Sequence, residues 1–319
     1  MFHTSFQQTS ILYDTCDETE QLFTETSHST IQCGFTCLRN DKCRRMLVCE
    51  DDYTVQCTYY YDGDYCVYED DSSKCTCYKQ LKACTDGKNC TCPLGYYGDT
   101  CDHIITDCSH GFQIGMETHK YKLTTIKPPG EPYPYKVICQ LHGMGWTKIM
   151  SRENKCNISN FNRNWTDYEE GFGHVQGTYW LGLKKIYKLL QGRPENNLNV
   201  LVYYGHPTNY KMCTIYYDNM ALGNASTNYW INLDKVASWS NPFCGDSLLS
   251  APSIKGRPFS TYDHDSTSYK CPTRLAGGWW YADDPDCLEA NINGRNNELN
   301  WVSNLTGKIF KIQMSIKFN

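Results

Sequence analysis

Short apolar and aromatic runs alternate with longer polar stretches along this chain, and the runs have strand length rather than helix length. Tyr135-Lys136-Val137-Ile138-Cys139, Asn199-Val200-Leu201-Val202-Tyr203-Tyr204 and Ile309-Phe310-Lys311-Ile312-Gln313-Met314-Ser315-Ile316 are rich in β-branched and aromatic residues and are predicted strands. Helical spacing is rarer. Ile186, Leu189 and Leu190 share one face of a short predicted helix, and Lys184, Lys185 and Lys188 form its solvated face. The first thirty residues are rich in Thr, Ser and Glu with Cys16 as their one anchor, so 1–15 are predicted to be an exposed lead-in. The resulting expectation is an α+β protein with short helices and many loops, whose large domain covers 107–319.

Cysteine usage changes that picture most. The chain has 20 Cys in 319 residues, thirteen between Cys16 and Cys101 and seven between Cys108 and Cys287. Such crowding calls for disulfides or metal. Five Asn-x-Ser/Thr sequons, at Asn89, Asn157, Asn164, Asn224 and Asn304, favour glycosylation, secretion and disulfides. Zinc knuckles would need Cys-x-x-Cys pairs, whereas the chain offers Cys75-x-Cys77 and Cys90-x-Cys92. Two odd cysteine counts require a bridge between the regions, a bridge between molecules, or free thiols, so a disulfide-linked homo-oligomer is consistent with them. The opening residues Met1 to Phe6 lack the basic start and apolar core of a signal peptide, which predicts an incomplete or trimmed N-terminus. No apolar run approaches the ~18 residues of a membrane span.

Charge narrows the partners. Residues 1–107 hold 18 acids and 8 bases, a net of −10, and the remainder holds 17 acids and 22 bases, a net of +5, which together give the chain's −5. A mild excess spread over two hundred residues is not the basic stripe of a nucleic-acid binder. No Gly-x-Ser-x-Gly or His-Glu-x-x-His motif appears, and Gly245-Asp246-Ser247 is followed by Leu248-Leu249 rather than the glycines of a protease nucleophile loop. A non-enzymatic protein is expected.

The densest stretch runs from Gly277 to Gly294. Gly277-Gly278 before Trp279-Trp280-Tyr281 predicts a close backbone approach beside a large apolar anchor. Cys287 followed by Asn291-Ile292-Asn293-Gly294 places turn chemistry next to a disulfide, a way to hold a surface pocket rigid.

Two small modules are suggested by resemblance. Cys33-x3-Cys37-x5-Cys43 with Cys49 and Cys57 resembles the PAN/apple module of secreted proteins, over 16–80. Cys84-x5-Cys90-x-Cys92-Pro93-Leu94-Gly95-Tyr96-Tyr97-Gly98-x2-Cys101 resembles the second half of an EGF-like module within 81–106, in which Cys92 pairs with Cys101. Cys66, Cys75 and Cys77 compete for that module's first two positions.

From Asp107-Cys108 to the end the chain resembles the fibrinogen C-terminal domain. The landmarks are Gly143-Met144-Gly145-Trp146-Thr147, Phe161-Asn162-Arg163-Asn164-Trp165, Tyr168, Gly171-Phe172-Gly173, Tyr179-Trp180-Leu181-Gly182, Gly245-Asp246-Ser247-Leu248 and Phe259-Ser260-Thr261-x-Asp263, followed by the Gly277–Gly294 stretch. The resemblance implies bridges Cys108–Cys139 and Cys271–Cys287. Of the three cysteines left in this half, Cys156, Cys213 and Cys244, the last two are expected to pair.

Family members commonly hold calcium before the third of these cysteines, which implies a site at Asp263 and Asp265. Thr267 stands where a third Asp is usual, and the segment to Cys271 is about two residues short, so the site is a reduced one with Asp265 as its surviving ligand. Lectin members bind acetyl groups in a neighbouring pocket, which implies ligand contacts at Tyr281, Asp286, Cys287, Leu288, Asn291 and Asn293 and a cis Asp286–Cys287 peptide. Leu288 replaces a His donor, the Tyr281–Cys287 loop is about three residues longer than usual, and the run from Gly294 to Trp301 is short. The expectation is therefore a secreted, lectin-like recognition protein of glycans or glycoproteins, with a role in innate defence, whose mouth is altered. The alternative is an adhesion or matrix protein that binds protein partners and has no acetyl-sugar site.

Overall fold

The computed structural model describes, within 1–91, seven strands and Cys33. Within 92–319 it describes every residue except 99–100, 118–120, 143, 154–159, 194, 207–208, 295–298, 302–304, 306–308 and 319. The chain divides into two compact units, Met1–Thr91 and Cys92–Asn319.

The first unit carries β1 (Ser5–Thr9), β2 (Ile11–Tyr13), β3 (Gln21–Ser27), β4 (Arg45–Glu50), β5 (Val55–Tyr60), β6 (Cys66–Tyr68) and β7 (Cys75–Leu81). Five of them form a sheet in the order β1-β7-β4-β5-β3, and β2 pairs with β6 in parallel. Cys57 and Tyr59, two apart on β5, point to one face and are fully buried. Cys33 is bonded to Cys57, and Val48 of β4 lies directly opposite Cys57, so a disulfide and one apolar pair close this face. Cys37, Cys43 and Cys84, on which the two small-module resemblances also rest, lie outside the described residues.

The second unit opens with a bridge between Cys92 and Cys101 around the hairpin of β8 (Tyr96–Tyr97) and β9 (His103–Ile104). Backbone hydrogen bonds fasten this hairpin to the rest of the unit. Ile105 N–H donates to Gly95 O at 2.9 Å, and Thr125 N–H of β10 (Lys122–Ile126) donates to Leu94 O at 3.2 Å. Buried Asp107 then starts α1 (Cys108–Gln113) by accepting the Ser109 and His110 N–H groups at 2.7 and 3.0 Å. Its other oxygen takes Arg193 at 2.7 Å, so the buried carboxylate is both hydrogen-bonded and ion-paired.

The main sheet runs β10, β11 (Tyr135–Gln140), β12 (Trp146–Glu153), β19 (Ile309–Phe318), β15 (Asn196–His206) and β16 (Asn209–Tyr217) in space. Between β12 and β15 (Asn196–His206) the chain forms β13 (Phe172–Gly173) and β14 (Tyr179–Trp180), which pair with each other, and β14 also pairs with β12. After β16 (Asn209–Tyr217) come the short pair β17 (Ala221–Leu222) and β18 (Ile231–Asn232). The last strand, β19 (Ile309–Phe318), inserts at the centre between β12 and β15. Its alternation explains the layering: Ile312, Met314 and Ile316 face the core opposite Val202, Val200 and Leu198, while Lys311, Gln313 and Ser315 take the other face.

Three further helices complete the unit, α2 (Trp165–Glu170), α3 (Leu183–Leu190) and α4 (Cys271–Leu275). In α3 the buried residues are Leu183, Ile186, Leu189 and Leu190, each contributing about 1.5–3 kcal/mol by leaving water. This is an α+β domain. No described helix is long and apolar enough to cross a membrane.

Candidate recognition site

The Gly277–Gly294 stretch is held from below by aromatic packing and one buried cation. A Cβ on Gly278 would meet the Tyr168 ring at 2.6 Å, and one on Gly277 would run into the carbonyl oxygen of Asn293. Close approach, not positive φ, is what requires glycine at these positions. Tyr168, from α2, donates its hydroxyl to Phe161 O at 2.7 Å and accepts Gly278 N–H at 2.9 Å. Trp280 packs edge-on against Phe259 at 5.0 Å, and its indole N–H reaches Tyr229 O at 2.7 Å, so the polar tip of a fully buried ring is satisfied.

Arg152, near the end of β12, lies under the far end of the stretch and is 2% exposed. Its guanidinium sits 4.6 Å from the centroid of Phe161 and donates to Ile292 O at 3.4 Å and to Gly294 O. Burial draws its pKa down to about 10, with the Tyr168 and Tyr281 hydroxyls opposing, so it stays charged at neutral pH. A strand-embedded arginine carries no sequence signal for this duty; only the topology brings Arg152 beneath Gly294.

Asp263 is exposed, yet its oxygens are engaged. They accept Trp165 N–H at 2.9 and 3.3 Å and the Thr261 hydroxyl at 2.7 Å, so Asp263 caps the first turn of α2 from across the chain. The helix's own N-cap, Asn164, accepts Asp167 N–H at 2.8 Å. Asp265 turns onto its neighbour, one oxygen accepting both the N–H and the hydroxyl of Thr267 at 2.8 and 2.7 Å. Among the described residues no group of three or more His, Cys, Asp or Glu could hold a metal ion. Calcium wants six to eight oxygens, and here both oxygens of Asp263 and one oxygen of Asp265 accept hydrogen bonds within the fold.

The residues expected at the acetyl pocket separate by depth. Tyr281 is buried, its hydroxyl donating to Gly277 O at 2.6 Å, so it belongs to the floor. Asn293 is buried with its amide on Gly278 O at 2.9 Å. Cys287 is buried and bonded to Cys271. Asn291 and Leu288 are half-buried, and Asp286 is exposed. The Asp286–Cys287 peptide is trans; the cis bond among the described residues is Ala251–Pro252. Cys287 instead takes φ +65° with Leu288 N–H on Asp286 O at 2.7 Å, a γ-turn at the mouth.

The long loop from Tyr281 to Cys287 is tethered. Asp283 accepts Ser268 N–H at 2.7 Å and the Ser268 hydroxyl at 3.2 Å, which ties it to the shortened Asp263–Cys271 segment. Arg274 of α4 donates to Pro285 O at 2.9 Å from outside. Neither residue stood out in the sequence, although Asp283 lies within the lengthened loop. Tyr262 and Tyr269 flank this region at 47% and 42% exposure.

Bridges also join Cys108 to Cys139 and Cys213 to Cys244, and no described cysteine is free. Cys156 lies outside the described residues. Asn224 is exposed and Asn164 half-buried, while Asn89, Asn157 and Asn304 lie outside the described residues.

Residues 104–317, about two thirds of the chain, match the family described as fibrinogen beta and gamma chains, C-terminal globular domain. The chain belongs to this family. Its fibrinogen C-terminal domain is 31% identical over 199 residues to human angiopoietin-related protein 3, covering 62% of this chain and 39% of that protein. It is 33% identical over 177 residues to chicken tenascin-R, covering 52% of this chain and 12% of the other. The chain thus spans well under half of these relatives. Among solved structures, the fibrinogen-like globe domain of human ANGPTL6 aligns with a TM-score of 0.57 at 27% identity, over 72% of this chain and 99% of that one. Lamprey fibrin D-dimer, complexed with the peptide ligand Gly-His-Arg-Pro-amide, aligns with a TM-score of 0.53 at 22% identity, over 66% and 73%, and shows a shared fold.

Proposed function

We propose that this is a secreted, non-enzymatic recognition protein whose fibrinogen C-terminal domain binds a protein partner through the face made by Tyr262, Tyr269 and the loop Asp283–Asp286. The carrying observation is the fate of the expected pocket. The Tyr281 hydroxyl and the Asn293 amide N–H donate inward to Gly277 O and Gly278 O, both side chains are buried, and Leu288 has no donor for a carbonyl oxygen, so no row of acetyl-binding groups faces outward among the described residues. What the surface presents is two half-exposed aromatic rings beside carboxylates, a combination suited to a protein interface. Similarity to angiopoietin-related and tenascin proteins supports the same reading.

Lectin-like binding of glycans is the second reading, favoured by Tyr262 and Tyr269, whose rings could stack on sugar faces. A glycan array read with and without calcium separates the two. The proposal expects no signal on acetylated sugars in either condition; a signal lost on Tyr262→Ser or Tyr269→Ser would establish the lectin reading instead. The positive arm is an array of extracellular proteins, in which a hit that weakens at least about tenfold in the same variants is expected, a change of about 1.4 kcal/mol.

The front of the chain, with its PAN/apple-like and EGF-like cysteine spacings, is proposed to serve adhesion or assembly. Non-reducing electrophoresis of the secreted protein tests assembly, and a band at monomer mass alone would remove it. Calcium is proposed to play no part in holding the Asp263–Cys271 segment. The midpoint of thermal unfolding is expected to be equal in calcium and in chelator. A calcium-dependent rise that Asp265→Ala abolishes would reverse that assignment.

A further inference from the structure

A cavity of about 230 Å³ opens between β11, β13, β14 and the first turn of α3, and none of its lining residues comes from the Asp263–Gly294 region. Its volume is below the ~300–1,000 Å³ of sites for drug-sized ligands, which suits a single ring. Phe172, Val175 and Trp180 give it an apolar wall; Lys136, Lys185 and Tyr135 line it as well, as does Glu170, whose carboxylate is paired with Lys184.

Lys185 is the unusual member. The residue is half-buried, and its ammonium donates to the backbone oxygen of Glu170 at 2.7 Å and lies 5.9 Å from the Tyr135 ring centroid, with no ion pair to a carboxylate among the described residues. The acids nearest in sequence to this corner are taken by the preceding lysine, since Lys184 pairs with Glu169 at 3.5 Å and with Glu170. Burial lowers the Lys185 pKa, against the pull of Glu170 and Glu131, as expected of a cation without a direct counter-charge. The charge of Lys136 reaches half-buried His174 and, behind burial as the larger cause, helps hold its pKa down to about 4. A partly desolvated cation with no ion pair, facing a ring-sized apolar wall, is complementary to a carboxylate carried on a ring.

We propose that this cavity binds a sugar acid, with the carboxylate on Lys185 and the ring against Phe172, Val175 and Trp180. The site shares no residue with the protein-binding face proposed above, so the two readings stand or fall separately.

Titration calorimetry of the intact secreted chain with D-glucuronate is the test, with D-glucose as the uncharged ring and acetate as the carboxylate without a ring. Glucuronate is expected to bind more tightly than either, with affinity falling as salt rises. Lys185→Gln is expected to weaken it about tenfold or more, the loss of a charge-assisted hydrogen bond, and Lys185→Arg to restore it. Tyr262→Ser, at the other face, is expected to leave it unchanged. No heat from glucuronate with the wild type would overturn the proposal. So would unchanged affinity in a Lys185→Gln protein that unfolds at the wild-type temperature, or acetate binding as tightly as glucuronate.

Discussion

Asp263 shows how a residue of one expected duty can be committed to another. Its carboxylate completes the first turn of α2 from a loop almost a hundred residues away, which locks that loop to the helix. Asp263→Ala is therefore expected to cost about 0.5–2 kcal/mol of stability, the range for losing a helix cap, in calcium and in chelator alike. Denaturant unfolding in both buffers checks this, and a loss seen only with calcium would contradict it. Arg152 makes the complementary case from inside the fold. Arg152→Met keeps much of the side-chain volume but leaves Ile292 O and Gly294 O without their donor, for an expected loss of about 1–3 kcal/mol. The same denaturant series measures it, and a variant as stable as the wild type would show that those carbonyls find other partners.

At the scale of elements, the pairing of β12 with β19 places a lysine where it is hard to keep charged. Lys148 is buried and lies 4.6 Å from the Tyr121 ring centroid. Burial, then the like charge of Lys311, draw its pKa from 10.5 to about 7 against the attraction of Glu153. Between about 7 and 10.5 the unfolded chain holds this proton and the folded one does not, so stability contributed by this group rises with pH across that window. Lys148→Met is expected to flatten the slope between about pH 7 and 9.5, and equal slopes in the two proteins would refute the assignment.

These elements were unequally legible. β-Branched and aromatic composition marks β11, β15 and β19 as strands although β15 and β19 bury residues on both faces, and helical spacing marks α3, whose Leu183, Ile186, Leu189 and Leu190 fall on one stripe. Neither signal marks β12, whose Lys148, Ser151 and Arg152 are buried polar residues. Candidate site residues were read by position in a family pattern, which marks where a residue lies but not which way it turns. Tyr281 and Asn293 turn inward because the carbonyls of Gly277 and Gly278 accept from them there, and no one-dimensional signal reports that.

For the molecule as a whole, covalent bridges fix the long, element-poor stretches that hydrogen-bonded sheet does not reach. Cys213 on the edge strand β16 is bonded to Cys244, a separation of 31 residues. Replacing both with Ala is expected to lower stability by about 2–4 kcal/mol, read from the unfolding midpoint, with the reducing-agent sensitivity of this segment lost. An unchanged midpoint would mean that hydrogen bonds suffice to hold the strand edge, where the Asn241 and Ala237 N–H groups reach Thr214 O and Tyr216 O and the Ser240 hydroxyl accepts Tyr216 N–H.

The tether between Ser268 and Asp283, braced by Arg274 on Pro285, has a kinetic corollary. A loop already fastened at both flanks does not have to be ordered when a partner arrives, so its association rate should resemble that of rigid-body docking. Cutting the fastening with Asp283→Ala would slow arrival and make the heat of binding more exothermic and its entropy less favourable, beyond the loss of any contact Asp283 makes with the partner.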